Sequence, residues 1–470
     1  MSNLSLKTID LSTEHESKSN ISPVKLTFYE WSKRVDINCY TKMLDYQGNF
    51  IVQSFWLFIL LASTGATFYL IAASVMDFFK FEVTTQIKII NEKPVAFPAI
   101  TFCNKNPLSS SEAQILLQNV SIQNNIIFQK SIRNASHLAM TFASSKFYDT
   151  EKKKLLSSFH KINCKFRDID CTNDLTWFWS HDYGNCYQFN SDSNNIKYVT
   201  RKGIDFGLNV GISSLINPNQ TSNTIKGTIV FVHNNSFEPS EGLEGVFVQA
   251  QKITYISVSR TFTQKYPTPY SDCINLDSYK SDLYDYIIKL NKTYRQQDCF
   301  ELCIQREIID KCKCYYTKYN ELEIDVRPCL SLNDSLCADD KYDNFNLDEC
   351  QTNSCPLECD SMTYELSWSS LEYENQNFDE ILFENAKIIR NFPMKNLVKS
   401  FTTFSVSYEN LHYTHISESP KTAIIDLFTQ IGGSLGMFVS FSIFTLFEFI
   451  EIIVLILKAL FTKPKIRISN

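Results

Sequence analysis

Fourteen of the chain's 15 cysteines lie between residues 103 and 359, and a long apolar run flanks that stretch on each side. Thiols in such number point to an oxidising compartment, where disulfides persist. The run at residues 50–75 carries no charge. As a helix it would reach roughly 39 Å, enough for a hydrocarbon core of ~30 Å with some tilt. The second run, residues 422–458, is interrupted by Asp426, Glu448 and Glu451. The first twenty residues are polar and lack the apolar core of a cleaved signal, so an internal span is expected to direct the rest of the chain out of the cytosol.

Flanking charge sets the expected orientation. Lys33, Arg34 and Lys42 precede the first run, and Lys458, Lys463, Lys465 and Arg467 end or follow the second. Lys and Arg favour the cytoplasmic side, so both termini are expected there, in the plasma membrane. This gives a cytoplasmic segment 1–49, a first transmembrane helix 50–75, an extracellular cysteine-rich domain 76–421, a second transmembrane helix 422–458 and a tail 459–470. Six N-x-[ST] sequons, at Asn119, Asn134, Asn219, Asn234, Asn291 and Asn333, fall inside the extracellular range as candidate glycosylation sites. The net charge of −6 offers no basic face for nucleic acid.

Within 76–421, runs such as "AFPAITFC", "GTIVFVHN", "QKITYISVSRTFT" and "SMTYELSWSS" are rich in β-branched and aromatic residues and read as strands. "SSSEAQILLQNV" reads as a helix opened by a capping box from Ser109 to Glu112. The fold class is therefore an α+β membrane protein, with a β-sheet core and peripheral helices. Cys299 and Cys303, four apart on a helical stretch, face the same way and need a partner segment alongside; Cys350, Cys355 and Cys359 can supply it. Cys312 and Cys314 suit an extended segment bridged to Cys329 and Cys337. Spacing alone leaves the connectivity open, and a zinc reading of the cysteines is the weaker alternative.

Gly432-Gly433-Ser434-Leu435-Gly436 fits the G-x-S-x-G elbow of serine hydrolases. Such an elbow needs an acid and then a histidine downstream. All seven histidines precede Ser434, the last being His415, so the enzyme reading fails. On one continuous helix, Asp426, Thr429, Gly433, Gly436, Ser440 and Glu451 instead form a stripe, with Glu448 at its edge. Carboxylates at membrane depth face a bundle interior or a water-filled path. One such helix encloses nothing, so the stripe implies several copies about an axis and a cation-conducting oligomer. A two-span receptor without conduction would explain the glycines as helix packing and leave the acids unexplained.

These segments resemble the degenerin/epithelial sodium channel family, the amiloride-sensitive sodium channels, along nearly the whole chain. "FPAITFCN" (97–104) is similar to that family's entry to the ectodomain, and "CPLECDSMTYELS" (355–367) to its C-P-x-x-C segment. "YENLHY" with "SESP" resembles the approach to the second span, and "IGGSLGMFVSFSIFTLFE" the pore helix. The C-x₃-C-x₈-C-x-C run from Cys299 to Cys314 resembles the family's thumb pattern.

The resemblance implies a sodium-selective, amiloride-sensitive trimer, homomeric or built with homologous subunits, that needs no cofactor. It implies seven bridges: Cys103–Cys186, Cys164–Cys171, Cys273–Cys359, Cys299–Cys355, Cys303–Cys350, Cys312–Cys337 and Cys314–Cys329. Ser440, Phe441 and Ser442 would be the selectivity filter, whose carbonyls and hydroxyls replace water around Na⁺; a filter that interrupts the helix there would leave the single-helix stripe only approximate. Glu448 and Glu451 would draw cations at the inner mouth. Asp426 and Thr429 would sit at the outer mouth, Asp426 raising affinity for divalent ions such as Ca²⁺. Tyr270 would couple the ectodomain to the first span near Phe81.

Two features depart from the family pattern. Asp36-Ile37 stands about where a His-Gly gating element is usual, which favours assembly with sister subunits. The paired histidines that acid-sensing members carry after the first span are replaced by "FEVTT". With the Asn-, Ile- and Tyr-rich composition, this places the chain nearest the peptide-gated cnidarian branch, with an RFamide-type neuropeptide as the expected ligand. Proton, mechanical and constitutive gating stay open.

Overall fold

The computed structural model describes residues 49–461, apart from 125–131, 158, 193, 215–226, 236–244, 277–278, 291–292, 320–321, 323–325, 349, 351–353, 373–400 and 441. Asp36, Phe441, Asn219 and Asn291 lie outside the described residues. The described residues divide into two compact units, with boundaries at Thr84/Thr85 and Ser419/Pro420.

The first unit is helical. α1 spans Phe50–Phe78, 29 residues, and among the described residues it alone is long and apolar enough to cross a membrane. The second apolar run is not the single helix expected from its composition. It forms two helices, Ile424–Val439 and Ile443–Phe461, separated at residues 440–442.

The larger unit, Thr85–Ser419, holds the sheets and all seven disulfides. Its strands up to the first disulfide loop are β1 (Val83–Asn91, entering from the first unit), β2 (Val95–Ala96) and β3 (Ala99–Asn104). Three helices follow, α2 (Ser111–Gln123), α3 (Ile132–Ser144) and α4 (Thr150–Leu155). Next come β4 (Phe159–Phe166), β5 (Ile169–Asp170), β6 (Leu175–Ser180), β7 (Gly184–Phe189), β8 (Tyr198–Val199) and β9 (Leu208–Ser214). β10 (Gly227–His233), β11 (Val246–Gln249), β12 (Lys252–Gln264) and β13 (Cys273–Ile274) lead to the helices α5 (Asp282–Lys289), α6 (Gln296–Cys312) and α7 (Leu332–Asp343). β14 (Leu357–Glu358), β15 (Asp360–Glu372), β16 (Phe401–Tyr408) and β17 (His412–Pro420) close the unit, before α8 (Ile424–Val439) and α9 (Ile443–Phe461).

Eight strands form one sheet in the order β1–β17–β12–β16–β9–β4–β5, with β15 also on β12; five form another, β11–β10–β3–β7–β6. Period-two burial explains their packing. Along β12, Thr254, Ile256, Val258 and Arg260 are buried and alternate with half-buried neighbours up to Thr261, which is buried too. Ile256 and Val258 join Phe404, Val406, Val210 and Ile212 against Phe97, Ile100, Phe102 and Phe189 of the five-stranded side. Burying each such phenylalanine stabilises by about 1.5–3 kcal/mol. The capping expectation shifts by one residue: Ser110, not Ser109, caps α2, its hydroxyl accepting the Ala113 N–H at 3.1 Å.

The disulfides are the seven pairs the resemblance implies. Cys299 and Cys303 project from one face of α6 to Cys355 and Cys350, which return alongside it. This cross-linked core also buries Leu283 and Ile287 of α5 and Leu302 of α6. α6 ends where Lys313 takes a left-handed conformation, φ 59°, turning the chain toward the Cys314–Cys329 bridge. Asn119 and Asn333 are exposed, whereas Asn134 and Asn234 are half-buried.

Candidate functional site: the broken apolar run

α8 packs against α1. The half-buried residues of α8 are Leu427, Ile431, Ser434, Leu435, Phe438 and Val439, a continuous helical face. On α1, Trp56, Leu60, Ser63 and Ile71 are half-buried along one helical line, with Thr67 buried among them. Small residues at its centre permit close helix approach, and the buried Thr67 hydroxyl donates to the Ser63 carbonyl at 2.8 Å.

The expected polar stripe lies beside that face. Asp426, Thr429, Gly433 and Gly436 are exposed within the single chain, and a Cβ built on Gly432 or Gly433 meets nothing within 4 Å. Asp426 also has a local duty: its carboxylate accepts the Ala423 N–H at 3.0 Å and caps α8. The Thr429 hydroxyl donates to the Ile425 carbonyl at 2.9 Å.

Ser440 ends α8 in the left-handed region, φ 58°. The helix restarts through a reciprocal cap: the Thr445 N–H donates to the Ser442 hydroxyl at 3.3 Å, and the Ser442 N–H to the Thr445 hydroxyl at 3.2 Å. Non-helical backbone releases carbonyls from the i→i−4 ladder, and at membrane depth such groups must face protein or water. The single-helix stripe from Asp426 to Glu451 is therefore corrected. Asp426 to Gly436 share one helix, whereas Glu448 (half-buried) and Glu451 (exposed) belong to the next. Periodicity missed this because Ser-Phe-Ser contains neither Gly nor Pro to mark a break.

At the other end of α8, the Lys421 amide donates to the Glu82 carbonyl at 2.9 Å and its ammonium pairs with the Glu82 carboxylate at 2.6 Å. The hydrogen bond to Lys421, then its charge, holds the Glu82 carboxyl below its ordinary range; the same bond raises Lys421. Phe81, beside this link, is left-handed with φ 51°, and its ring lies 6.1 Å from those of Phe78 and Phe79.

In the larger unit, Tyr270 is half-buried, its ring edge-on to Tyr266 at 5.0 Å. The turn that carries it is clamped to β17: the Glu418 carboxylate accepts the Ser271 hydroxyl at 2.6 Å and the Tyr266 N–H at 3.0 Å.

Sequence reasoning missed a histidine pair. His137 of α3 and His181, in the β6–β7 turn, stack edge-on at 6.0 Å. His137 is 2.8 Å from the Tyr316 hydroxyl and 3.8 Å from the Asp339 carboxylate, with Asp182 and Lys318 adjoining. Burial, opposed by Asp339, holds the His137 imidazole below its ordinary pKa. The unfolded chain therefore takes up the proton first. Stability conferred by the neutral ring is present above about pH 6.5 and is lost as pH falls through the folded value. A melt of the full-length protein should show this acid slope reduced in His137→Gln; an unchanged slope would refute the assignment. Residues 137 and 181 are too far apart in sequence to suggest a pair.

A family model described as the amiloride-sensitive sodium channel matches residues 31–452. The chain belongs to that family. Relatives include the Caenorhabditis elegans degenerin-like protein asic-2, 23% identical over 85% of this chain and 81% of that one. The human bile acid-sensitive ion channel is 22% identical over 84% of this chain and 79% of its own. The Xenopus laevis epithelial sodium channel subunit gamma is 28% identical over 62% of this chain and 45% of its own. The mixed α/β fold, the disulfides and the apolar N-terminal helix of this sodium channel relative have their context there, and the family's members are ion channel subunits of the plasma membrane.

Proposed function

We propose that the chain is one subunit of a trimeric, sodium-selective, amiloride-sensitive channel, with residues 1–49 and 459–470 in the cytoplasm and 76–421 outside. The observation that supports it most is the break at 440–442, set between two apolar helices below an exposed line of Asp426, Thr429, Gly433 and Gly436. In this reading residues 422–458 cross the membrane despite the break. Three copies direct Ser440, Phe441 and Ser442 at a shared axis as the filter. Asp426 and Thr429 take the outer mouth, Glu448 and Glu451 the inner one, and Na⁺, with some Ca²⁺, passes between. An amidated basic neuropeptide acting on the extracellular part opens the pore, alone or with sister subunits, as in the cnidarian peptide-gated branch.

Voltage clamp of oocytes tests this. Co-expression with related subunits and a neuropeptide panel should give inward Na⁺ current blocked by amiloride; surface trimers that never conduct would favour a non-conducting receptor. Tyr270→Ala should leave surface protein unchanged and remove gated current, and normal current would end the coupling role given to Tyr270 and Phe81. Proton gating has one observation in its favour, the His137–His181–Asp339 cluster. Current evoked by acid alone would favour it over the peptide.

A further inference from the structure

The break at 440–442 sets two helix ends of opposite character against each other. The last carbonyls of α8 have no intrahelical donors, and they attract a cation. The start of α9 leaves N–H groups without intrahelical acceptors and carries about half a unit of positive charge, which repels one. A cation path through this point therefore needs the donors of the restart occupied and the carbonyls left open.

One side chain occupies a donor there. Ser442 stands just before α9, and Thr445 lies in its first turn. The Thr445 hydroxyl accepts the Ser442 N–H at 3.2 Å, and the Ser442 hydroxyl accepts the Thr445 N–H at 3.3 Å. The two hydroxyl oxygens are themselves 3.3 Å apart, so one donates to the other. Thr445 is 1% exposed, whereas Phe444 and Phe447 are 76% and 62% exposed. Ile452, seven residues on along the same face, is buried too. The helix thus turns Thr445 into the packing of the chain itself, while Ser442 is exposed.

We propose that Thr445 is a positioning residue for the filter: its buried hydroxyl ties the Ser442 N–H away from the ion path. This rests on the filter assigned above to Ser440, Phe441 and Ser442. Thr445 acts through Ser442 and not on the ion. Without its oxygen the Ser442 N–H has no acceptor in the turn, and a donor free to face the path opposes the carbonyls that draw the cation. The edge of the filter also loosens. Na⁺ is smaller than K⁺ and gains more from oxygens held close, so loosening reduces the preference for it.

Thr445→Val keeps the branched shape and removes the hydroxyl, whereas Thr445→Ser keeps the hydroxyl. Both full-length variants are expressed in oocytes with sister subunits and the neuropeptide panel, and surface biotinylation checks delivery. With Na⁺ and K⁺ on opposite sides, valine should lower the Na⁺/K⁺ permeability ratio about 5-fold at unchanged surface level, the weight of one neutral hydrogen bond. Serine should keep the parent ratio. A second measurement needs no current: in full-length protein in detergent, hydrogen–deuterium exchange at the Ser442 amide should be about 5-fold faster with valine and unchanged with serine. Exchange unchanged by valine would overturn the tie to Ser442, and in a silent channel this measurement decides alone. Faster exchange with an unchanged permeability ratio would reduce Thr445 to a helix cap and overturn the positioning role. A parent current without preference for Na⁺ would end the filter reading itself. A selective parent with an equally selective valine variant would end this inference only.

Discussion

Valine in place of Ser440 should leave the chain at the cell surface and cut its current at least 10-fold. Ser440 ends α8 at φ 58°, a conformation that costs an ordinary L-residue about 1–2 kcal/mol. A β-branched side chain is a true outlier there. Valine would therefore favour an unbroken helix through 440–442, returning to the ladder the carbonyls that the break releases and dismantling the Ser442–Thr445 cap that follows. Glycine visits this region freely, so Ser440→Gly should keep the break and the current. Surface biotinylation alongside voltage clamp separates folding from conduction. Normal Na⁺ current through the valine variant would mean that the left-handed residue is dispensable and that the filter assignment fails.

Glu92→Ala should lower the stability of the full-length protein by about 2–3 kcal/mol. The Arg260 side chain is 5% exposed, and its guanidinium meets the Glu92 carboxylate at 2.6 Å. Removing one partner of a buried pair costs about 3–5 kcal/mol, and the 40% exposure of Glu92 brings the expectation below that range through screening. Three rings, Phe262, Tyr408 and Tyr413, surround the guanidinium at 5.4–5.9 Å and soften the loss without replacing the acid. Arg260→Met combined with Glu92→Leu should recover most of it, since an apolar pair leaves no stranded charge. Thermal melts of the three proteins in detergent decide the matter. A single Glu92 variant as stable as the parent would show that water reaches Arg260.

Both sites illustrate what a single sequence discloses. The strand was legible in "QKITYISVSRTFT", but that Arg260 shares the inward face with Ile256 and Val258 came only with the structure. Its partner was no more legible: Glu92 lies 168 residues away, just past the end of β1, beyond any local pattern. The α+β class, the disulfide-rich body and the first apolar helix were readable because each rests on a repeat of two, a count of thiols or a length without charge. Cys299 and Cys303 told which helix face needed partners, whereas the choice among later cysteines came only with the family resemblance. The residues from Asp426 to Gly436 do share one helix. Its extension to Glu451 failed at Ser440, because backbone conformation there is set by the surroundings and not by residue type.

β12 pairs in parallel with β17 over Thr261–Gln264 and Thr414–Ser417, while β15 pairs along its full length. A tug along β17, the strand that runs on in sequence toward Lys421, loads those four rungs together in shear. They cannot open one after another, as a zipper would. Short as it is, the junction behaves as a stiff tie, and tension entering β12 there is shared with thirteen rungs of β15 on one side and six of β16 on the other.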